Sequence, residues 1–126
     1  MQLEVTTRCT LACPGCPRTH VANRLGYFHK HDLVIDDLVK FLDCEDGASV
    51  EYMSLEGNHG DAIYYKDLFG LIDKFRDQVK FTIVTNGSYK DTKFWHNLCA
   101  RLTNQDWIVF SIDGLEHNNH LLSSQV

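Results

Sequence analysis

Three of the five cysteines lie in one short segment, Cys9-Thr10-Leu11-Ala12-Cys13-Pro14-Gly15-Cys16. Their spacing is C-x3-C-x2-C. Three thiolates so close in sequence can ligate three irons of a [4Fe–4S] cluster and leave the fourth iron without a protein ligand. An iron with an open coordination position can bind a small molecule, as a catalytic cluster requires. The segment therefore predicts a metal centre held by Cys9, Cys13 and Cys16.

Two other interpretations of this segment stay open. A zinc ion could be bound by the three cysteines together with His20, which lies four residues beyond Cys16. The Cys13–Cys16 pair alone is a C-x-x-C, which can be a redox-active dithiol in a βαβ setting. Cys44 has no partner by spacing. We expect Cys99, on an apolar helical stripe, to be a small buried hydrophobic residue.

Composition indicates an ordinary globular chain. Its 126 residues are 44% hydrophobic and carry a formal net charge of −5, so we predict one domain over residues 1–126. Acidic and basic residues are interleaved, without the basic stripe of a nucleic-acid-binding protein. The apolar runs are far shorter than the ~20 residues that cross a membrane, and the first residues do not resemble a signal peptide. We predict a cytoplasmic location, where cysteines stay reduced, and no nucleic-acid or membrane partner.

Four short apolar segments predict β-strands, at residues 3–7, 50–55, 81–85 and 107–112. The last is apolar enough to be covered on both faces, as strands of parallel sheets are. Helical stripes fill the intervals, the first with Asp36 as its N-cap. Their apolar positions are Leu38, Phe41 and Leu42; Leu68, Leu71, Ile72 and Phe75; and Phe94, Trp95, Leu98, Cys99 and Leu102. The order βαβαβαβ predicts an α/β fold with a parallel sheet.

Polar or glycine-rich loops follow each of the four predicted strands. In a parallel sheet such loops lie at one edge, where α/β proteins bind ligands. The loops are residues 9–16, 57–61, 85–87 and 111–114. Because all four meet at that edge, we predict a ligand site there. Taken singly, each has a purely local alternative explanation. The glycines and Asn86 could merely form tight turns, and Ser111 and Asp113 could merely cap a helix.

The last three loops carry recognisable motifs: Gly57-Asn58-His59-Gly60-Asp61-Ala62, Thr85-Asn86-Gly87 and Ser111-Ile112-Asp113-Gly114. Together with the cysteine spacing directly after the first strand, they resemble the radical S-adenosylmethionine (SAM) superfamily. The three motifs are similar to that family's Gly-Gly-Glu-Pro-like turn, its Thr-Asn-Gly and its Ser-Leu-Asp-Gly. The chain differs in having Gly15 where the family often has a bulky residue, and Asp61 where it has glutamate.

The resemblance implies a [4Fe–4S] cluster on the three cysteines, with SAM chelated by the open iron. Reductive cleavage of SAM then gives methionine and a 5′-deoxyadenosyl radical, which takes a hydrogen atom from a substrate. The implied SAM contacts are Gly57, Gly60 and Asp61 at the methionyl end, Asn86, and Ser111 and Asp113 at the ribose. The implied partners are an unknown substrate, either a peptide or a small metabolite, and an electron donor such as flavodoxin or ferredoxin.

The family core is a partial (βα)6, TIM-like barrel, of which this sequence matches the first four strands. We therefore expect the N-terminal half of a radical SAM core domain, incomplete after its fourth strand, which a second chain could complete. An open fourth strand should also make the chain poorly soluble or oligomeric. The competing hypothesis is a non-catalytic module that uses a zinc ion or a cluster for structure or partner binding.

Overall fold

The computed structural model of the chain describes residues 1–27, 29–44, 49–88 and 90–119. Four parallel strands form a sheet in the order β1-β2-β3-β4. The strands are β1 Gln2–Leu3, β2 Tyr52–Leu55, β3 Lys80–Thr85 and β4 Trp107–Phe110. The helices are α1 Pro17–Leu25, α2 Ile35–Leu42, α3 Leu68–Phe75 and α4 Thr92–Cys99, with a short 3-10 helix at Ala62–Tyr64. The predicted α/β class and parallel sheet are confirmed. None of the described helices has the length and apolarity needed to cross a membrane.

The hydrophobic core forms where one face of the sheet packs against three of the helices. Along β3, Phe81, Ile83 and Thr85 are buried and alternate with half-buried residues, the period of two expected when one face of a strand is covered. All four predicted apolar positions of α3 are buried. In α2 and α4 the buried residues are Leu38 and Leu98. This packing leaves the carboxyl edge of the sheet to the loops.

Helix α1 is absent from the sequence prediction, and the predicted cap of α2 is wrong. Helix α1 has no buried residue, so it carries no apolar stripe from which to predict it. Its sequence signals are its ends, with Pro17 in the first turn and Gly26 after the last one at φ 73°. The N-cap of α2 is Val34, and Asp36 lies in the first turn. A carboxylate there still interacts favourably with the helix dipole.

Strand β1 is shorter than predicted, because the chain leaves β2 after Leu3. Beyond that point it pairs instead with the segment that precedes α2. The amide of Leu33 donates to the carbonyl oxygen of Val5 at 2.8 Å, and that of Thr7 to the carbonyl oxygen of His31 at 2.9 Å. The predicted strand at residues 3–7 is therefore wrong in its extent. The change of partner carries the chain directly into the cysteine loop.

Strand β4 is exposed, so the prediction that both of its faces are covered is wrong. Trp107, Val109 and Phe110 are 67%, 45% and 49% exposed. Among the described residues β4 pairs only with β3, which leaves it at an edge of the sheet. The apolar surface continues beyond the strand through Ile112 and Leu115, which are 74% and 67% exposed.

We expect this edge to make the chain associate with itself, and Val109→Lys to suppress that association. An apolar strand with unpaired backbone groups is a template for pairing, and a lysine on it opposes pairing at little cost to folding. Light scattering should show a mass above the 14.5 kDa of one chain that rises with concentration, and a mass near one chain for the variant. Phe41→Lys, at an exposed position of α2, should leave the association unchanged. A stable monomer of the parent chain at all concentrations would contradict this expectation.

Candidate functional site

The cysteine loop and the loops after β2, β3 and β4 surround one cavity of about 500 Å³. It lies at the carboxyl ends of the parallel strands, and its volume is within the ~300–1,000 Å³ typical of small-molecule sites. The structure places all nine predicted site residues in its wall: Cys9, Cys13, Cys16, Gly57, Gly60, Asp61, Asn86, Ser111 and Asp113. The fold therefore brings together residues that are up to 104 positions apart, from Cys9 to Asp113.

The cysteine loop is fixed by its connection to α1. Cys16 is the N-cap residue of that helix, and its amide donates to the carbonyl oxygen of Cys13 at 3.0 Å. The Arg18 side chain reaches back from α1 and donates to the carbonyl oxygens of Thr7 and Leu11, at 3.4 and 3.3 Å. All three cysteines of the loop are free thiols and half-buried.

Of the three thiols, Cys9 makes the most hydrogen bonds with the described residues. Its Sγ accepts hydrogen bonds from the Leu11 amide at 3.4 Å and from Nδ2 of Asn86 at 3.6 Å. Burial raises the pKa of Cys9, and the hydrogen bond from Leu11 offsets only part of that effect. Because a metal binds the thiolate, its binding must displace the Cys9 proton.

Asp61 ties the loop after β2 to the end of β3. It is 5% exposed, and its Oδ2 accepts from the Thr85 hydroxyl at 3.0 Å and from the Asn86 amide at 2.8 Å. Its Oδ1 accepts from the Ile63 amide at 3.2 Å. Burial raises the pKa of Asp61, and these hydrogen bonds oppose the rise without cancelling it. Asp61 is therefore both part of the cavity wall and a support for its neighbour Asn86.

The glycine turn after β2 packs too closely for side chains. A Cβ built on Gly60 would lie 2.0 Å from the carbonyl oxygen of Thr6, and one on Gly57 would lie 2.1 Å from that of Gly60. Outside the turn, Glu4 accepts from the backbone amide and Nδ2 of Asn58, at 3.0 and 2.9 Å. Gly60 thus lets the turn pack against the chain that enters the cysteine loop, and Gly57 lets the turn close on Gly60.

The loop after β3 is organised around Asn86. Its Oδ1 accepts from the Ser88 amide at 2.9 Å, while its Nδ2 donates to Cys9. The Ser88 hydroxyl lies 2.9 Å from that of Thr10, and the Tyr64 hydroxyl donates to the Ser88 carbonyl oxygen. Sequence reasoning missed Tyr64 and Ser88, since neither has a local signal and their contact joins distant segments.

The loop after β4 forms the open rim of the cavity. Ser111 and Asp113 are both exposed and line it. The Ser111 amide donates to the carbonyl oxygen of Thr85 at 2.8 Å, which continues the pairing of β3 with β4. The Ser111 hydroxyl and the Asp113 carboxylate are accessible to a ligand that approaches from solvent.

The three cysteines of the loop and His20 do not gather around a single point. His20 is exposed on α1 and is not in the cavity wall. In the part of the chain that the structure describes, no three His, Cys, Asp or Glu residues form a group that could hold a metal ion. A zinc site on the cysteines and His20 is thus not assembled there. The Cys13–Cys16 pair directly precedes α1, as a redox dithiol would. Such a dithiol does not need a third cysteine, however, and Cys9 lines the same cavity.

The other two cysteines lie outside the cavity wall and are exposed. The Cys44 thiol donates to the carbonyl oxygen of Phe41 at 2.7 Å. The prediction of a buried Cys99 is wrong. Neighbouring residues of a helix point about 100° apart, and α4 directs Leu98 into the core instead.

The fold is that of an α/β protein with a cavity at the carboxyl edge of a four-stranded parallel sheet. No protein-family model, curated protein or solved structure matches the chain.

Proposed function

We propose that this chain binds a [4Fe–4S] cluster and SAM in the cavity, as the N-terminal part of a radical SAM enzyme. One observation carries the proposal: the nine residues that the family motifs single out, from four separate loops, line a single cavity. The motifs alone do not require this, because each has a local explanation as a turn or a cap.

The donor set of the cysteine loop fits a cluster. Cys9, Cys13 and Cys16 are free, half-buried and in one wall. A single ion needs its ligands gathered around one point, whereas a cluster takes each thiolate at a different iron. The two hydrogen bonds to the Cys9 sulfur are of the kind that tunes a cluster's potential. When bound, the cluster supplies the electron that cleaves SAM to methionine and a 5′-deoxyadenosyl radical.

The other loops offer SAM a surface of suitable chemistry. Gly57 and Gly60 place the backbone of the turn in the cavity wall, where it can hydrogen-bond a methionyl group, and Asp61 holds the Asn86 amide in place beside them. Ser111 and Asp113 can hydrogen-bond ribose hydroxyls from the rim. The apolar side chains of Leu11 and Val84, also in the wall, exclude water from part of the cavity. Val84 was missed by sequence reasoning, although it alternates along β3 with the core residues.

The open edge of β4 supports the larger architecture of the proposal. In a partial (βα)6 barrel further strands would pair with β4 and cover Trp107 and Val109, which are exposed here. Those strands, whether of this protein or of a second chain, would help to enclose the substrate, a peptide or a small metabolite. An electron donor such as flavodoxin or ferredoxin would reduce the cluster. The reduced thiols that the cluster needs are available in the cytoplasm.

Anaerobic reconstitution with iron and sulfide tests the proposal. We expect about four irons per chain, the stoichiometry of one [4Fe–4S] cluster, and an EPR signal of the reduced protein that changes on addition of SAM. S-adenosylhomocysteine, which lacks the sulfonium, serves as the control ligand and should give a different spectrum. A chain that binds zinc tightly and no cluster would instead be a structural metal module. A cluster whose spectrum is indifferent to SAM would refute the SAM site alone.

A further inference from the structure

A second cavity, of about 260 Å³, adjoins the first and shares Cys9 with it. Its described wall consists of Arg8, Cys9, Thr10, Arg18, Lys30 and Tyr64. Three of the chain's 12 lysines and arginines therefore face one small space, in a protein whose net charge is −5. No aspartate or glutamate is among these wall residues.

The two arginines of this basic pocket are held in place by the protein. The Nε of Arg8 donates to both carboxylate oxygens of Asp32, at 3.0 and 3.1 Å, and Asp32 also accepts from the Thr6 hydroxyl at 2.6 Å. Arg18 is oriented by its hydrogen bonds to two backbone carbonyls. In the described ranges both hydrogen bonds of the Arg8 side chain leave from Nε, so its two terminal nitrogens can donate to a ligand. Groups fixed in advance lose less conformational entropy on binding.

The charge in the basic pocket exceeds what Asp32 can neutralise. Asp32 pairs with Arg8 at 3.0 Å and lies 3.8 Å from Lys66, which is outside the pocket wall. Lys30 forms no ion pair with the described residues. The hydroxyls of Thr10 and Tyr64 add neutral hydrogen-bonding groups to the three cations. The pocket thus offers an excess of positive charge and several donors to an anion.

We propose that the basic pocket binds the phosphoryl group of a small phosphorylated molecule. The planar guanidinium fork matches the oxygens of a phosphate. A phosphate monoester carries about −1.5 to −2 charges at neutral pH, which suits three cations better than a single carboxylate does. A cavity of about 260 Å³ accommodates a phosphoryl group with few further atoms, and not a folded partner. The proposal needs neither the cluster nor SAM, so it can be tested independently of them.

The test is titration calorimetry of the metal-free chain at low ionic strength, with inorganic phosphate and with glycerol phosphate as probes. We expect saturable binding of both, and none of glycerol at the same concentrations. Lys30→Glu should weaken binding at least tenfold, because it reverses a charge in the wall. Lys30 is exposed, so this change should not disturb folding, which circular dichroism checks.

Lys40→Glu is the matched control, since Lys40 is exposed on α2 and pairs only with Asp37 in the described part of the chain, at 3.4 Å. Its binding should stay within twofold of the parent chain. The proposal is overturned if neither phosphate binds saturably with a dissociation constant below about 10 mM, which corresponds to a binding free energy of ~3 kcal/mol. Equal losses in the Lys30 and Lys40 variants, or an unchanged affinity of Lys30→Glu, would also overturn it. Tighter binding of a single-stranded oligonucleotide than of either phosphate would replace the small molecule with a nucleic acid.

Discussion

Replacing Cys9, Cys13 or Cys16 by alanine is expected to reduce reconstituted iron from about four atoms per chain to less than one. Three thiolates are the minimum protein ligation of a cluster with one open iron, so the loss of any one leaves two irons without a protein ligand. All three side chains are free and line the same cavity. Iron and sulfide analysis after anaerobic reconstitution measures the effect, and circular dichroism verifies that each variant is folded.

Cys44→Ala and Cys99→Ala are the matched controls for this experiment. Both residues are exposed free thiols and neither lines the cavity. They should therefore retain the iron content of the parent chain. If they lose iron to the same degree as the loop variants, the metal is held by surface thiols in general, and the cysteine loop is not a specific cluster site.

Gly60→Ala is expected to destabilise the fold by about 3 kcal/mol, at the upper end of the usual cost of overpacking. The added Cβ would lie 2.0 Å from the carbonyl oxygen of Thr6, and a backbone atom cannot move aside as a flexible side chain can. Thr6 is itself fixed by an antiparallel bridge to Asp32 and is 4% exposed. Urea denaturation of the metal-free chain, followed by circular dichroism, measures the change in the free energy of unfolding.

Gly15→Ala is the matched control for the packing argument. It adds the same methyl group to another glycine of the cavity wall, and a Cβ there meets nothing within 4 Å. Its effect should stay within the ~0.5 kcal/mol typical of substitutions away from packed sites. Equal stabilities of the two variants would mean that the turn after β2 does not press on the chain before the cysteine loop.

The comparison of β3 with β4 shows how far hydrophobic pattern predicts a fold. Both strands were predicted in nearly correct positions from their apolar residues. The hydrophobic pattern does not indicate that β3 is flanked by strands on both sides while β4 lies at an edge of the described sheet. An apolar run shows that a segment suits a strand, but not which other strands pair with it. Helix α1 shows the opposite failure, since it packs no residue into the core and so left no periodic signal.

The sequence by itself determined the order of the four strands and of α2, α3 and α4, the parallel sheet, and nine of the fourteen residues in the cavity wall. It could do so because strand and helix periodicities are local, and because the loops after parallel strands must meet at one edge. Tertiary structure alone decided that Asp61 supports Asn86, that Asn86 donates to Cys9, and that Gly60 packs on Thr6. These contacts join residues 25 to 77 positions apart. Only the folded backbone brings such atoms within hydrogen-bonding distance, so no local pattern could have indicated them.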